Sequence, residues 1–395
     1  MAVGEEVTKA NWSGVFAMSL CVFGLIASEF MPVSLLTPIA QELEITEGMA
    51  GQGIAISGVF AVVTSLSITA IAGSMNRKTL LLGLTVLMAL SGAVVGAAPN
   101  FLTYMVGRAL IGMVIGSFWS MSAATAMRLV PAAQVPRALA IFNGGNALAV
   151  VLAAPIGAYL GSVVGWRGAF YALVPVAAIA LAWQWISLPS MRAGERAPGS
   201  ANVFAALKSA PIAIGMGACG LFFMGQFMLY TYVRPFLETV TKVDVATLSM
   251  VLLVIGAAGL VGTAVIGRFL TRSLYGTLTA VPVMLAVIAL ALIPLGASIV
   301  PVVVLFALWG LLSTANPVGW WSWVAQAMPD KAEAGGGLMV AVIQTSIALG
   351  ATFGGFLFDG AGHVTLFTVS AAVLVAGGLL AYVTSRASAK DPVAA

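Results

Sequence analysis

Apolar runs of about 20 residues or more recur along almost the whole chain, separated by short polar breaks. A hydrocarbon layer roughly 30 Å thick is crossed by about 20 residues of helix, so each run is long enough to span a bilayer. A soluble core has no use for so many. Of the 395 residues 61% are hydrophobic and only 8% are charged, which leaves too little polar surface to face water. The chain reads as an all-α, multi-pass integral membrane protein, with the lipid bilayer as its first partner.

The breaks place spans near 13–39, 48–73, 79–97, 101–128, 137–163, 168–187, 210–236, 246–270, 275–296, 299–327, 334–358 and 364–385. That is twelve helices. The longest break, "PSMRAGERAPGSANVFAALKSA", carries the Pro, Gly, Ser and charge content of a linker. It divides residues 1–188, a six-helix bundle, from a second bundle at 210–395, with 189–209 between them.

Cytoplasmic loops retain Lys and Arg. With the N-terminus inside, Lys9, Arg77, Lys78, Arg128, Arg137, Arg192, Arg196, Lys208, Arg268, Arg272, Lys331, Arg386 and Lys390 fall on the cytoplasmic side. Both termini are then cytoplasmic. Arg167, Arg234 and Lys242 lie at or beyond the outer ends. The +4 net charge is therefore an effect of topology and no sign of nucleic-acid binding. The first run is too long for a secretory signal and has no small-residue cleavage pattern, so it counts as the first helix.

The halves look related. "GSMNRKTLLL" at 73–82 and "GRFLTRSLYG" at 267–276 occupy the same turn in each half, and "GAYLG" at 157–161 matches "GATFG" at 350–354 at nearly the same offset. Two such matches point to an internal duplication with both halves in one orientation. That is the parallel-repeat plan of a large transporter class, with its substrate site between the halves near mid-membrane.

Enzyme chemistry finds little to work with. Cys21 and Cys219 sit inside apolar spans with no neighbour at metal-ligand spacing, the only histidine is His363 in an outer loop, and there is no H-E-x-x-H. No metal or other cofactor is expected. A channel would show a continuous polar filter.

Charges inside the spans are few. "CVFGLIASEFMPVSLL" at 21–36 holds Glu29 alone, the only acid well inside any span, and Arg108 lies inside the fourth. A charge at bilayer centre costs about 2.5 to 3.5 kcal/mol, so such residues face a cavity or each other. At roughly 15 and 10 Å from the outer surface, the two are close enough in depth to pair. Glu29 reads in two ways. Either it carries protons, loading and releasing as its surroundings change, or it is a permanently satisfied acid that stiffens the bend at Pro32. Arg108 is either its coupling or gating partner or a structural one.

A flat polar ligand needs aromatic faces to stack on and amides or hydroxyls to orient its edge. The spans offer Trp119, Ser120, Asn143, Asn146, Gln226, Tyr230, Asn316 and Gln344. Each alone also serves as an interhelical hydrogen bond or core aromatic. Trp320, Trp321 and Trp323, near the inner end of the tenth span, read as an interfacial belt.

"GRALIGMVIG" at 107–116 gives Arg108, Gly112 and Gly116 in an R-x-x-x-G-x-x-x-G spacing, and "APIGAYLGSVVGWRGAF" at 154–170 gives Pro155, Gly157, Gly161 and Gly165. In these motifs the chain resembles the major facilitator superfamily (MFS), in its drug and sugar proton antiporter branch. "SEFMPVSLLTPIAQEL" and "YTYVRPFL" look most like the purine ribonucleoside efflux pumps of that branch. The resemblance implies the MFS fold, two pseudo-symmetric six-helix bundles, in a bacterial cytoplasmic membrane. It implies a monomer that exports small polar molecules, purine ribonucleosides first and sugars or drugs second, by alternating access in exchange for protons, with the proton gradient as energy source. Uptake remains open. The glycines at 157, 161 and 165 are first a packing stripe, and in the antiporters such a stripe seals the outer half, with Pro155 bending its helix. The branch's loop between helices two and three usually carries an acid where this chain has Asn76, so Arg77 reads either as part of a gating relay or as a positive-inside anchor.

Overall fold

The structure, a computed structural model, describes residues 10–72, 75–191, 207–328 and 332–390. Lys9, Gly73, Arg192, Arg196, Lys331 and most of the expected linker (192–206) lie outside them. The membrane-crossing helices are α1 (Trp12–Glu42), α2 (Glu47–Ala72), α3 (Arg77–Gly96), α4 (Phe101–Trp119), with short α5 (Ser122–Met127), α6 (Val135–Tyr171), α7 (Leu173–Ser187) and α8 (Ala210–Tyr230), with short α9 (Val233–Phe236). Then follow α10 (Val245–Arg272), α11 (Leu274–Leu295), α12 (Ile299–Ala327) and α13 (Ala332–Lys390). Helices are forced by the solvent, because backbone groups in hydrocarbon must be paired within their own segment. Polar residues start several of them. Asn11, Asn76, Asn100, Asp244 and Ser273 each cap a helix by accepting a hydrogen bond from a backbone N–H of its first turn.

Among the described residues ten apolar helical stretches are long enough to cross a bilayer, two of them long enough to cross twice, which gives the expected twelve crossings with two joins unlike the expected loops. The apolar stretches at 132–187 and 335–388 are 56 and 54 residues long, enough for two crossings each. Each is broken at a glycine with a positive φ, Gly165 (φ 73°, ψ 164°) and Gly362 (φ 75°, ψ 179°). The chain reverses through a conformation that a side chain would resist. Gly165 therefore differs from Gly157 and Gly161. It is a bend, whereas they are packing positions.

Helix contacts repeat between the halves. In the first, α1 packs on α6, α2 on α4 and α3 on α7; in the second, α8 packs on α13, α10 on α12 and α11 on α13. The contacts between halves are likewise exchanged copies of each other, α2 on α13 and α6 on α10. Close approach depends on glycine. A Cβ on Gly112 would lie 2.2 Å from the Ser57 carbonyl oxygen, and one on Gly116 would lie 2.0 Å from that of Ala61, so α4 rests directly on the α2 backbone. Gly116→Ala is expected to destabilise the purified protein by about 1–3 kcal/mol through overpacking. Gly83→Ala, on an open face of α3, should be neutral or slightly stabilising, and paired thermal melts compare the two.

The interfacial belt is corrected. Trp320 and Trp323 are buried, edge to face at 5.7 Å, and Trp323 covers Gly215 of α8. Only Trp321 is exposed. Residues three apart share a helix face while the residue between them points elsewhere, so helical phase sends two indoles inward.

Candidate functional site

The site grows out of two prolines in α1. A proline has no N–H, so Pro32 leaves the Ser28 carbonyl without its helical donor and Pro38 does the same to Ser34. Both carbonyls are taken by buried arginines. Arg108 of α4 donates from Nη1 to the Ser28 oxygen at 2.7 Å, from Nε to the Gly53 oxygen at 3.1 Å, and from Nη2 to the Glu29 carbonyl and the Ser57 hydroxyl, each at 3.4 Å. Arg234 of α9, from the other half, donates from Nη1 to the Ser34 oxygen. It also pairs with Glu238 at 2.8 Å. Pro155 in α6 likewise frees the Val151 carbonyl, which packs on Gly256 of α10, where a Cβ would come within 3.0 Å of that oxygen.

Glu29 and Arg108 are thus neighbours without pairing through the carboxylate. The arginine reaches the Glu29 main chain, and the Glu29 carboxylate turns to the opposite half, where Gln344 of α13 donates from Nε2 to Oε1 at 3.4 Å. Glu29 is half-buried. Beside it, Phe30 meets Phe227 at 6.1 Å and Tyr230 at 6.5 Å, so α1 and α8 share an aromatic cluster across the halves. Gln226 lies one turn before Tyr230, and its Oε1 is buried with no partner, as is Oε1 of Gln344. Buried polar atoms are nearly always paired, by protein, water or ligand.

The other expected ligand residues divide. Trp119 packs edge to face on Phe142 at 6.2 Å, next to Asn143, which is exposed and bonds back to the Leu139 carbonyl. Asn146, one turn on, is half-buried. Ser120 spends its hydroxyl on the Gly116 carbonyl of its own helix. Asn316 is fully buried in α12 with neither amide atom partnered. The structure therefore brings Gln344 to Glu29 and Tyr230 to the neighbouring Phe30, with Gln226 one turn away on the helix of Tyr230, and sets Trp119 on Phe142 in the first half, on the helix that carries Asn143 and Asn146.

Contacts between the halves run from the Glu29–Gln344 level to the end of the molecule that carries Glu42. The Gly48 N–H donates to Oδ1 of Asp359 at 3.0 Å, and the Thr352 hydroxyl bonds Oε1 of Gln52 at 3.1 Å. Tyr232 donates to the Ala351 carbonyl of its own half at 2.7 Å, and the same hydroxyl fits across the seam against Gly51 of α2. Gly157 and Gly161 seat α6 on Ser34 and Leu35 of α1 at the same end. Arg77 opens α3 at the other end, its N–H bonded to the Met191 carbonyl. Asn76, standing at the acidic position, caps α3 through the Lys78 N–H and accepts from the Met191 N–H.

Sequence reasoning missed Phe30, Gln52, Tyr232, Arg234 and Asp359. Arg234 was readable as an outer-loop charge, but α9 folds it back against α1. The clue was Pro38, which requires a donor from elsewhere for Ser34.

The family model of the Major Facilitator Superfamily matches residues 18–344. A Pseudomonas aeruginosa protein named "Transcription regulatory protein OpdE" is 64% identical over 384 residues, 96% of each chain. "Purine ribonucleoside efflux pump NepI" of Salmonella paratyphi B is 39% identical over 376 residues, 95% of this chain and 94% of its own. Among solved structures, a bacterial homologue of the lysosomal transporter Spinster, inward-facing and unoccupied, superposes with a TM-score of 0.75 at 14% identity, covering 96% of this chain and 98% of its own. A mutant form of the nucleoside transporter NupG also gives 0.75, at 13% identity over 95% and 98%. Their fold is the fold described above. With its twelve crossings and its exchanged contacts between related halves, the chain belongs to the Major Facilitator Superfamily, and is a transporter of small molecules across a bilayer and not an enzyme.

Proposed function

We propose that the protein exports purine ribonucleosides in exchange for protons, as a monomer in a bacterial cytoplasmic membrane with both termini inside. The two bundles, 1–188 and 210–395, rock about a central cavity and are joined by the 189–209 linker. The observation that carries this reading is the Glu29–Gln344 contact. Glu29, well inside α1, touches the opposite half, so a rocking motion that parts the halves would exchange its amide bond for water. The aromatic cluster of Phe30, Phe227 and Tyr230, with the spare amide oxygens of Gln226 and Gln344, supplies faces and edges for a flat, neutral, polyhydroxylated ligand. The substrate rests on the efflux pump relatives. The Lys and Arg bias supports an orientation with the Glu42 end, where the halves touch, on the outside, as an inward-facing conformation requires. The regulatory name of the 64% relative is compatible, because a pump that alters the level of a solute alters what any intracellular sensor of that solute reports.

Proteoliposomes given labelled inosine, a sugar or a dye, with and without a proton gradient, test the reading. Gradient-dependent flux of inosine above the other two is expected. Flux of all three without a gradient would overturn antiport, and a preference for the sugar or dye would move the assignment within the branch.

A further inference from the structure

A second concavity lies away from Glu29, on the flank of the second half. A groove of about 580 Å³ runs between α11 and the last turns of α13, lined by Ser273, Tyr275, Thr279, Met284, Tyr382 and Ser385 among others. Its chemistry is graded along its length. At the end where α11 begins it is rich in hydroxyls, with Tyr275 bonded to Ser388 at 2.9 Å, and further along α11 it becomes apolar at Val283 and Met284, both exposed. The hydroxyl end is also cationic. Arg386 donates from Nε to the Tyr382 hydroxyl at 3.1 Å and lies over that ring at 5.2 Å, while Arg272 immediately precedes Ser273. No Asp or Glu occurs in 245–295 or 362–390, so α11 and the last turns of α13 supply no acid at this end of the groove to neutralise them; the acids of α13, Glu333 and Asp359, precede those turns. α11 also begins at this end, its Gly276 N–H capped by the Ser273 hydroxyl, and a helix N-terminus favours an anion.

Cations and hydroxyls at the membrane surface, continuous with an apolar trough toward the bilayer centre, match one kind of occupant. We infer that this groove holds an anionic phospholipid, with the phosphate headgroup at Arg386, Tyr382, Ser273 and the α11 N-terminus, and an acyl chain along Val283 and Met284. A phosphatidylcholine, carrying a compensating choline, lacks the net charge; a free phosphate has the charge but no use for the trough. The site does not depend on the identity of the transported solute.

Native mass spectrometry of the purified protein with added phosphatidylglycerol, phosphatidylcholine or inorganic phosphate reads the site directly. Phosphatidylglycerol should be retained in preference to phosphatidylcholine. One cation near an anionic lipid surface is worth about 1 kcal/mol, so Arg386→Gln should lower phosphatidylglycerol retention about fivefold, and Arg386→Lys should keep most of it. Met284→Trp, which fills the trough from an exposed position, should lower retention without changing the charge. Equal retention of the two lipids, or retention indifferent to Arg386→Gln and Met284→Trp, overturns the proposal. Inorganic phosphate that displaces phosphatidylglycerol and raises the melting temperature as much as the lipid does overturns it in favour of a soluble phosphate ligand.

Discussion

Glu29→Gln is expected to abolish gradient-driven accumulation of inosine in proteoliposomes while leaving downhill exchange within about twofold of the parent. The substitution keeps size and shape. The new amide oxygen can still accept from Gln344, so the contact between halves survives at a cost of a fraction of a hydrogen bond, about 0.5 kcal/mol. What it removes is the ability to bind and release a proton. The Arg108 network is indifferent to the change, because the guanidinium holds the main chain of α1 at Ser28 and Glu29 and not the carboxylate. An unchanged response to the gradient would reject Glu29 as the proton carrier. Loss of both driven transport and exchange, with the protein still folded, would give it a substrate-binding role in place of a coupling one.

That separation of roles could not be read from the sequence. Depth along two helices predicts only that Glu29 and Arg108 lie at similar levels, and an ion pair is the simplest way to satisfy both. The choice was made by Pro32, whose missing N–H offers Arg108 a carbonyl one residue before Glu29. The proline was visible; the helix that would answer it was not, since that depends on how α4 sits on α2 through Gly112 and Gly116. Other features were legible for a clear reason. The twelve crossings follow from run length, and the exchanged contacts between halves follow from the duplication. The stripe at 157, 161 and 165 shows the limit of spacing arguments. Two of its glycines pack against α1, whereas the third has the same spacing but a positive φ, which periodicity does not encode. The tryptophans at 320 and 323 went inward for a similar reason: belt position is set by depth, but exposure is set by helical phase.

The same proline logic makes Arg234 the strongest handle on the closed face. Its guanidinium reaches from α9 to the Ser34 carbonyl, a bond between halves that exists because Pro38 cannot supply the helical N–H. Arg234→Met leaves that carbonyl buried and unpaired and strips Glu238 of its partner. An orphaned buried group costs about 1–3 kcal/mol, and here the cost falls on the conformation that closes the Glu42 end, since opening that end would expose the carbonyl to water. The equilibrium should shift toward opening by about tenfold or more. A cysteine placed at Thr352, which bonds Gln52 across the seam, reads the shift as faster labelling by a water-soluble thiol reagent, because Cys21 and Cys219 are buried. Pro38→Ala approaches from the other partner. The restored N–H competes with Arg234 for the Ser34 carbonyl, so it too should speed labelling, yet without leaving an orphan. If the two substitutions act on one bond, the double variant should label no faster than the faster single variant. Additive effects would mean that Arg234 and Pro38 act separately. Unchanged labelling in a folded Arg234→Met protein would mean that the arginine only braces α9, and that the closed face is held by Tyr232, Gln52 and Asp359 instead.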